Sequence, residues 1–311
     1  SATHQVPPAR RVTGLSPQHS GTMTMNNART ATLLMYCPDQ PGVVAAVTDF
    51  LARHGANVID LDQHVDRVEG VFFMRVKWEL DGFALTPEAF EQAFSEAIAK
   101  GFEASWQLHH DPNPIRMAIF VSKIPHCLYD LLSRWQSGEW RVDIPLIISN
   151  HDTLRPVAEQ FGVPYYHFPI TAETKAEQEA REIELVQAQD IELVALARYM
   201  QVVSPQLIQA FPERTINIHH SSLPAFAGAK PYHAAHARGV KIIGATSHYV
   251  TEDLDAGPII DQGVTYITHR DTVQDLIRKG QDLEKIVLAR GIWAHLQRQT
   301  LVYQNRTIVF G

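Results

Sequence analysis

Three side chains suited to acyl chemistry lie close together in sequence, between residues 215 and 260. Asn217 and His219 end a β-branched strand, and Asp255 follows a second apolar strand. An amide carbon under attack needs a donor for the developing oxyanion, a proton carrier and a group that orients this carrier. Because sites in α/β sheets lie at strand ends, these three residues predict acyl or amide chemistry at one edge of a sheet.

Each of these residues, taken alone, is more typical of a turn or a helix cap than of an active site. The catalytic hypothesis therefore depends on the block in which they occur. This block also contains His220, Pro224, Gly228, His248 and Gly257.

The block resembles the signature of the formyltransferase family. That signature pairs Asn-Ile-His and a following Ser-Leu-Pro with a later Thr-x-His-x-Val-Thr-x-x-x-Asp-x-Gly-Pro segment. In this sequence the three parts are residues 217–219, 222–224 and 246–258. The resemblance implies that the family's catalytic Asn, His and Asp are Asn217, His219 and Asp255.

Length and composition predict a globular protein of two domains. The chain has 311 residues, of which 45% are hydrophobic, and no apolar run approaches the ~20 residues of a membrane-spanning helix. A net charge of -7 has the wrong sign for a protein whose main partner is nucleic acid. Cys37 and Cys127 are too few and too far apart for a disulfide framework. We therefore expect a cytoplasmic protein that binds neither nucleic acid nor a membrane.

The first predicted domain has a ferredoxin-like α+β pattern. Residues 1–28 lack any apolar period, so we expect a flexible extension there. Residues 29–110 follow in the order strand, helix, strand, strand, helix, strand, and their opening Cys-Pro-Asp-Gln-Pro-Gly-Val-Val resembles the ACT domain, a regulatory module that often binds amino acids. The resemblance implies an effector loop at Asp39, Gly42 and Asn57. The alternatives are a simple turn and helix cap at these positions, with two such sheets pairing edge to edge.

The second predicted domain is a Rossmann-like α/β domain with a mostly parallel sheet. Residues 111–115 are predicted to be a linker, because two prolines interrupt regular structure. Residues 116–311 then alternate apolar strands with amphipathic helices. Strands are expected at 116–122, 142–149, 163–168, 191–197, 215–218 and 241–249, and helices at 126–136, 154–161, 175–189, 203–211 and 272–298. A final hairpin is expected to turn at Asn305.

One strand end of this domain resembles the lining of the pterin pocket in formyltransferases. It consists of Leu196, Ala197, Arg198, Tyr199 and Met200. Main-chain groups of such a segment bind the donors and acceptors of the fused ring, and Met200 supplies an adaptable apolar wall. The alternative is an ordinary core strand followed by a helix start.

Two further residues are candidates for folate contacts. They are His248 and Val250, which lie at the end of the apolar strand that precedes Asp255. A histidine on an apolar strand is, however, more often a buried residue with its hydrogen bonds satisfied.

The first strand-to-helix loop of the second domain, residues 121–128, contains no glycine. Family members that pass the formyl group to a phosphorylated ribosyl amine have a glycine-rich loop there, whose amides hold the phosphate. The loop is instead similar to that of the formyltetrahydrofolate deformylases, which also combine the same two modules. This resemblance implies hydrolysis of 10-formyltetrahydrofolate to formate and tetrahydrofolate without a cofactor, supplying formate for purine synthesis and balancing the one-carbon pool.

Three other functions fit parts of the same pattern. The glycine-free loop disfavours a formyltransferase that acts on an amine such as a phosphoribosyl glycinamide. The intact set of candidate catalytic residues disfavours an inactive folate or amino-acid sensor. A metal hydrolase would lack the His-Glu-x-x-His pattern and a neighbouring Cys pair, so we expect no metal. Its ligands would come from His219, His220, His233, His236 and His248.

We expect the chain to form a homodimer or homotetramer.

Overall fold

The computed structural model describes residues 29–111, 113–221 and 231–311. The predicted flexible extension, residues 1–28, lies outside this described part, as does Pro112 of the predicted linker. Residues 222–224 and Gly228 of the formyltransferase-like block also lie outside it.

The first domain has the predicted ferredoxin-like fold, an antiparallel sheet with its helices packed on one face. The strands have the order β2-β3-β1-β4, and every pairing is antiparallel. Their bounds are Thr30–Pro38 for β1, Asn57–Asp66 for β2, Val71–Glu79 for β3 and Ser105–Asp111 for β4. The helices are α1, Val43–Arg53, and α2, Pro87–Phe94, which continues through a π-helical segment, Ser95–Ala99, into α3, Lys100–Phe102.

The second domain is built on a seven-stranded sheet in the order β11-β10-β9-β8-β5-β6-β7. The strands β5 to β9 run parallel, whereas β10 is antiparallel to both β9 and β11. The predicted mostly parallel α/β sheet is thus confirmed. The strands are β5 Ile115–Val121, β6 Val142–Ser149, β7 Tyr165–His167, β8 Leu193–Leu196, β9 Thr215–His219, β10 Ile242–Tyr249 and β11 Ile259–Tyr266.

Strand β11 is the strand of this sheet that the sequence pattern did not predict. It lies at the edge, where Val264 and Tyr266 are 55% and 79% exposed. An edge strand with one solvent-facing side carries little of the apolar signal by which buried strands are found.

The helices of the second domain mostly follow their predicted ranges. They are α4 His126–Gln136, α5 Arg155–Gln160, α6 Lys175–Ala188, α7 Pro205–Ala210, α8 Pro231–Arg238 and α9 Val273–Leu296. Helix α9 begins with a capping box, in which the Thr272 hydroxyl accepts from the Asp275 amide and the Asp275 carboxylate accepts from the Thr272 amide. None of the helices in the described ranges is long and apolar enough to cross a membrane.

The outer face of the first sheet packs against a C-terminal hairpin of the second domain. The hairpin consists of β12, Thr300–Tyr303, and β13, Arg306–Val309. Since side chains alternate along a strand, β1 directs Leu33 to its own helices and Leu34 to the hairpin. The shared apolar cluster contains Leu34, Val71, Phe73, Leu301 and Phe310. The two domains therefore share buried surface.

Arg75 of β3 adds a polar connection between the domains. It is 3% exposed, and its guanidinium donates to the carbonyl oxygens of Arg298 at 2.7 Å and Gln297 at 3.0 Å. These carbonyls follow the last turn of α9, where a helix leaves acceptors without intrahelical partners. An ion pair of 2.7 Å between Arg298 and Asp111 lies beside them.

Candidate active site

The structure brings Asn217, His219 and Asp255 together beside β9 and β10. Nδ1 of His219 lies 3.1 Å from Oδ2 of Asp255. The other carboxylate oxygen, Oδ1, lies 3.6 Å from Nε2 of His248, and this Nε2 lies 3.3 Å from Nδ2 of Asn217. An amide, two imidazoles and a carboxylate therefore form one continuous polar chain.

His248 holds the centre of this chain. It is 1% exposed, and its Nδ1 lies 2.9 Å from the carbonyl oxygen of Tyr249. Because a carbonyl oxygen only accepts, Nδ1 carries a hydrogen, and Nε2 lies between the Asp255 carboxylate and the Asn217 amide. His248 thus orients two of the three candidate catalytic groups, while its predicted contact with folate stays a prediction.

Asp255 is held in its ionised form. Hydrogen bonds from His219 and then from His248 keep the pKa of its carboxyl group well below the usual range. The remaining nitrogen of His219, Nε2, has no hydrogen-bond partner among the described residues, and 17% of this side chain is exposed. The arrangement is that of a carboxylate that orients an imidazole whose second nitrogen can exchange a proton with a substrate.

The backbone of the loop between β10 and β11 fixes the position of Asp255. Asp255 has a left-handed backbone with φ of 52°, which costs free energy in a residue other than glycine. Two residues later the loop lies against β10, where a Cβ atom on Gly257 would be 1.8 Å from the Tyr249 carbonyl oxygen. From the tip of the C-terminal hairpin, Nδ2 of Asn305 donates to the carbonyl oxygen of Ala256 at 2.9 Å.

A second pair of histidine and carboxylate lies between α4 and α9. Glu284 is 1% exposed, and its Oε2 lies 2.6 Å from Nε2 of His126. The hydroxyl of Tyr232 donates to Oε1 at 2.9 Å, and Nε of Arg198 lies 3.7 Å from Oε2. We define these four residues as the Glu284 cluster.

The Glu284 cluster contacts the candidate catalytic residues through His220. Nη1 of Arg198 lies 3.0 Å from Nδ1 of His220, and the His220 ring stacks on His219 with 5.0 Å between ring centres. Burial, and then the charge of Arg198, lowers the pKa of His220 to about 4. His220 is therefore a neutral ring that accepts from Arg198 and supports the flat side of His219.

Sequence reasoning missed three members of the Glu284 cluster: His126, Tyr232 and Glu284. A signal for Glu284 was present, since it occupies an apolar position of α9, four residues before Leu288 and eight before Ile292, which are both buried. A carboxylate at such a position needs polar partners inside the domain. Nothing in the pattern identified those partners.

The predicted folate segment lies at the end of β8, and most of its side chains face the core. Leu196, Ala197 and Tyr199 are 3%, 0% and 5% exposed, whereas Met200 is 57% exposed. Arg198 has a positive φ of 65° and directs its guanidinium to the Glu284 cluster. Of the five, Met200 offers an exposed apolar side chain. Folate contacts of this segment and of the half-buried Val250 stay predictions.

Within one chain, the three predicted effector residues of the first domain do not lie together. Asp39 and Gly42 follow the end of β1, and Gly42 starts α1 with φ of 92°, a value that favours glycine. Helix α1 carries the chain back along the sheet, so Asn57 begins β2 at the opposite end, where it pairs with Glu79. Its amide donates to the Glu79 carboxylate at 2.7 Å. A loop site in a single chain can therefore use Asp39 and Gly42 but not Asn57.

One group of potential metal ligands occurs among the residues that the structure describes. His126, Cys127 and Glu284 have donor atoms within 4.8 Å of one another. Glu284 already binds His126 and Tyr232, and burial raises the pKa of the Cys127 thiol well above its usual value. A thiolate ligand is therefore costly here, and the group fits a hydrogen-bonded cluster better than a metal centre.

Comparisons with known proteins show similarity along both domains. A family model described as formyl transferase matches residues 115–292, and an ACT domain model matches residues 31–88. The formyltetrahydrofolate deformylase of Synechocystis sp. is 53% identical over 281 residues, which are 90% of this chain and 98% of that protein.

Two solved structures differ in how much of this chain they match. A formyltetrahydrofolate deformylase from Pseudomonas syringae matches with a TM-score of 0.88 and 44% identity, covering 93% of this chain and 97% of that one. A glycinamide ribonucleotide transformylase from Symbiobacterium toebii matches with a TM-score of 0.61 and 29% identity, covering 66% of this chain and 98% of its own. The deformylase thus matches nearly the whole chain, and the transformylase about two thirds of it.

Proposed function

The chain belongs to the formyltetrahydrofolate deformylase family and hydrolyses 10-formyltetrahydrofolate to formate and tetrahydrofolate; we propose that Asn217, His219 and Asp255 carry out this reaction. The observation that supports the assignment is the contact of 3.1 Å between His219 and Asp255, with the Asn217 amide joined to the same carboxylate through His248. Water is the nucleophile, and the formyl carbon is the centre that it attacks.

His219 is the immediate base in this proposal. Asp255 is too weakly basic to take the proton of water, because its pKa lies far below neutrality and both of its oxygens face imidazoles. Its carboxylate instead accepts from Nδ1 of His219 and stabilises the imidazolium that forms. Nε2 of His219 takes one proton from water while the water oxygen bonds to the formyl carbon.

Asn217 stabilises the tetrahedral intermediate that follows. Its side-chain amide carries two N–H groups, and the one that does not face His248 is available to donate to the formyl oxygen as it gains charge. The C–N bond then breaks, and His219 returns its proton to the leaving nitrogen of tetrahydrofolate. Formic acid leaves with the oxygen and the second hydrogen of water and ionises to formate in solution, and the side chains return to their starting protonation.

The glycine-free loop supports water over a phosphorylated amine as the formyl acceptor. Its last part runs into α4, whose first residue, His126, bonds to Glu284 in the interior. Main-chain amides at a helix start hold a phosphate best when small residues allow close approach. Here Pro125 removes one such amide.

Formate release tests the function and the catalytic roles together. The protein is incubated with 10-formyltetrahydrofolate and no amine, and formate is measured with time. Removing an oxyanion donor costs ~2.7–4 kcal/mol of transition-state stabilisation, so Asn217→Ala should lose about 10²–10³ in turnover. Asp255→Ala should lose a similar amount, and both variants should still bind folate. Formate release at the wild-type rate from either variant would refute the assigned role.

We propose that the first domain also assembles the chain into a homodimer or homotetramer. Strand β2 is an edge strand, and it exposes three apolar side chains, Val58, Ile59 and Leu61, by 37%, 49% and 37%. Exposed edges with apolar residues pair readily with a second sheet. Light scattering of Ile59→Asp should report a smaller particle than wild type, and an unchanged mass would contradict pairing through β2.

We further propose that the reaction uses no cofactor and takes place in the cytoplasm, where formate release balances the one-carbon pool. Side chains that already contact one another supply the proton transfers and the charge stabilisation of the mechanism. Cys37 and Cys127 are both buried free thiols, which agrees with a reducing compartment. Turnover that falls on treatment with a chelator, and returns with one added metal, would contradict the first part.

A further inference from the structure

Helix α6 carries a polar stripe on the side that faces the interior of the second domain. Lys175, Glu179 and Glu182 are spaced so that they lie on one face of the helix. Glu179 is 4% exposed and Glu182 is 0% exposed. A helix normally directs apolar side chains inward and leaves its carboxylates in water, because a carboxylate buried without partners costs free energy. The reason for the stripe must therefore lie in what it contacts.

The two carboxylates of the stripe hold both ends of the loop between β8 and α7. Oε1 of Glu182 accepts from the Tyr199 hydroxyl at 3.2 Å, and Oε1 of Glu179 accepts from the Ser204 amide at 2.8 Å. We define residues 199–204 as the clamped segment. Each carboxylate thus offsets part of the cost of its burial through a contact with this segment.

Two further contacts hold the middle of the clamped segment. Nζ of Lys175 donates to the carbonyl oxygen of Val202. Oγ of Ser122, which follows β5, accepts from the Met200 amide at 2.9 Å and donates to Oδ1 of Asn150 at 2.7 Å. Ser122 and Asn150 are both buried. The segment is therefore fixed by polar groups from α6 and from the ends of β5 and β6.

The clamped segment nevertheless presents apolar side chains to solvent. Met200 and Val202 are each 57% exposed, although Tyr199 and Val203 beside them are buried. Carboxylates inside and apolar side chains outside reverse the usual distribution of residue types. This reversal suits a surface that binds an apolar ring, because a surface that already has its bound shape loses less entropy when the ligand arrives.

We propose that Glu179 and Glu182 are positioning residues for substrate binding, which hold the clamped segment so that its exposed apolar side chains contact the fused ring of 10-formyltetrahydrofolate. This inference rests on the function given above and on the folate contact predicted for residues 196–200. The candidate catalytic residues lie elsewhere, on β9 and in the loop after β10. The two carboxylates should therefore affect the affinity for folate and not the chemical step.

Calorimetric titration with tetrahydrofolate under argon measures binding apart from turnover. Glu179→Met and Glu182→Met remove the acceptors, so each should raise the dissociation constant about fivefold or more. Glu179→Gln and Glu182→Gln keep an acceptor oxygen and should bind within about twofold of wild type. The matched control is Glu184→Gln, which changes an exposed carboxylate of the same helix and should bind as wild type does.

Formate release from 10-formyltetrahydrofolate gives the second measurement. In the two Met variants KM should rise with the dissociation constant, while kcat stays within about twofold of wild type. A purely structural role would lower the free energy of unfolding and leave the affinity of the folded protein unchanged. An active wild type together with unchanged dissociation constants in both Met variants would overturn the positioning role alone. A wild type that neither binds tetrahydrofolate nor releases formate would overturn the function as well.

Hydrogen exchange tests the clamp itself. The peptide that covers residues 199–204 should exchange faster in Glu179→Met than in wild type, because the Ser204 amide has lost its acceptor. Equal exchange would overturn the role of Glu179.

Two milder variants decide the question if a Met variant does not fold. Tyr199→Phe removes only the hydroxyl that contacts Glu182, and Glu179→Asp withdraws the carboxylate from Ser204 by one methylene group. Each should raise the dissociation constant of tetrahydrofolate about threefold or more. Wild-type affinity in Tyr199→Phe would overturn the role of Glu182, and wild-type affinity in Glu179→Asp would overturn that of Glu179.

Discussion

The second domain contains two pairs of histidine and carboxylate that differ in what else the carboxylate contacts. His219 and Asp255 lie 3.1 Å apart, with 17% and 25% of their side chains exposed. His126 and Glu284 lie 2.6 Å apart, with 11% and 1% exposed. The first carboxylate has a second imidazole as its other partner, whereas the second has Arg198 and Tyr232.

This difference is the reason why we assign proton transfer to the first pair and not to the second. The charge of Glu284 is balanced by Arg198, a permanent cation, so its imidazole need not become charged. Asp255 has imidazoles as its partners, and an imidazole, unlike a guanidinium, can act as a base. A histidine beside a carboxylate is therefore not by itself a catalytic base. The other partners of the carboxylate and the free nitrogen of the ring determine its role.

The largest expected effect is a difference in turnover between variants of His219 and His126. His219→Gln should lower kcat by about 10²–10⁴, the contribution of a positioned acid or base. His126→Gln keeps a donor for Glu284 and should lower kcat less than about tenfold. Formate release at saturating substrate measures both. Similar losses in the two variants would remove the functional contrast between the pairs.

The free energy of unfolding should depend more on Glu284 than on Asp255, which is the reverse of the order expected for turnover. Glu284→Gln leaves Arg198 inside the domain without its charged partner, and breaking such a buried pair costs about 3–5 kcal/mol. Asp255→Asn leaves no permanent cation without its partner and should therefore cost less than Glu284→Gln. Urea unfolding monitored by circular dichroism gives both values. A larger loss for Asp255→Asn would contradict the structural role given to Glu284.

A third carboxylate, Glu182, forms no ion pair with a cation or an imidazole among the described residues. Its Oε1 accepts from Tyr199, and burial raises the pKa of Glu182 from 4.5 to about 8. The folded state keeps a proton that the unfolded chain releases, so the free energy of unfolding falls as pH rises from about 4.5 to about 8. Asp255 acts in the opposite direction, because its lowered pKa adds stability above pH 3.8 that is lost in acid.

Glu182→Gln should therefore remove the fall in stability with rising pH. At pH 8 the variant should be more stable than wild type by roughly 2–4 kcal/mol, with little difference near pH 4.5. Urea unfolding at both pH values measures this. A difference that does not grow with pH would contradict a protonated Glu182.

The smallest expected effect concerns the support of the Asp255 loop. Asn305→Ala removes one hydrogen bond to Ala256, worth about 1 kcal/mol, and should lower kcat about fivefold with KM unchanged. Gln304→Ala alters the neighbouring residue of the same turn and serves as the matched control. Equal kcat values for the two variants would show that the hairpin tip does not hold the loop.

The sequence could predict that the three candidate catalytic residues lie close together, because they belong to one short block. Asn217 and His219 are two residues apart on one strand, and Asp255 follows the adjacent strand, so strand pairing alone places them near one another. The chain of contacts through His248 could not be predicted, since it depends on which way an interior imidazole points. The left-handed backbone of Asp255 was equally invisible in the pattern.

The Glu284 cluster lay beyond prediction for a different reason. His126 and Glu284 are 158 residues apart, and no local period relates them. Arg198 was assigned to the folate pocket by resemblance, but its guanidinium faces this cluster. Residues 29–110 and the strands β5 to β10 followed from apolar periodicity, because each is a local pattern. Contacts between the domains, such as Arg75 with the end of α9, follow no such pattern.

The hairpin of β12 and β13 affects the stage of synthesis at which the candidate site is complete. Ribosomes add residues 300–309 after strands β1 to β11, the helices and all three candidate catalytic side chains have been synthesised. The outer face of the first sheet and the Asp255 loop both contact these residues, so neither set of contacts can form before the residues have been made. A nascent chain therefore completes the geometry of the candidate site only after residues 300–309 have been made.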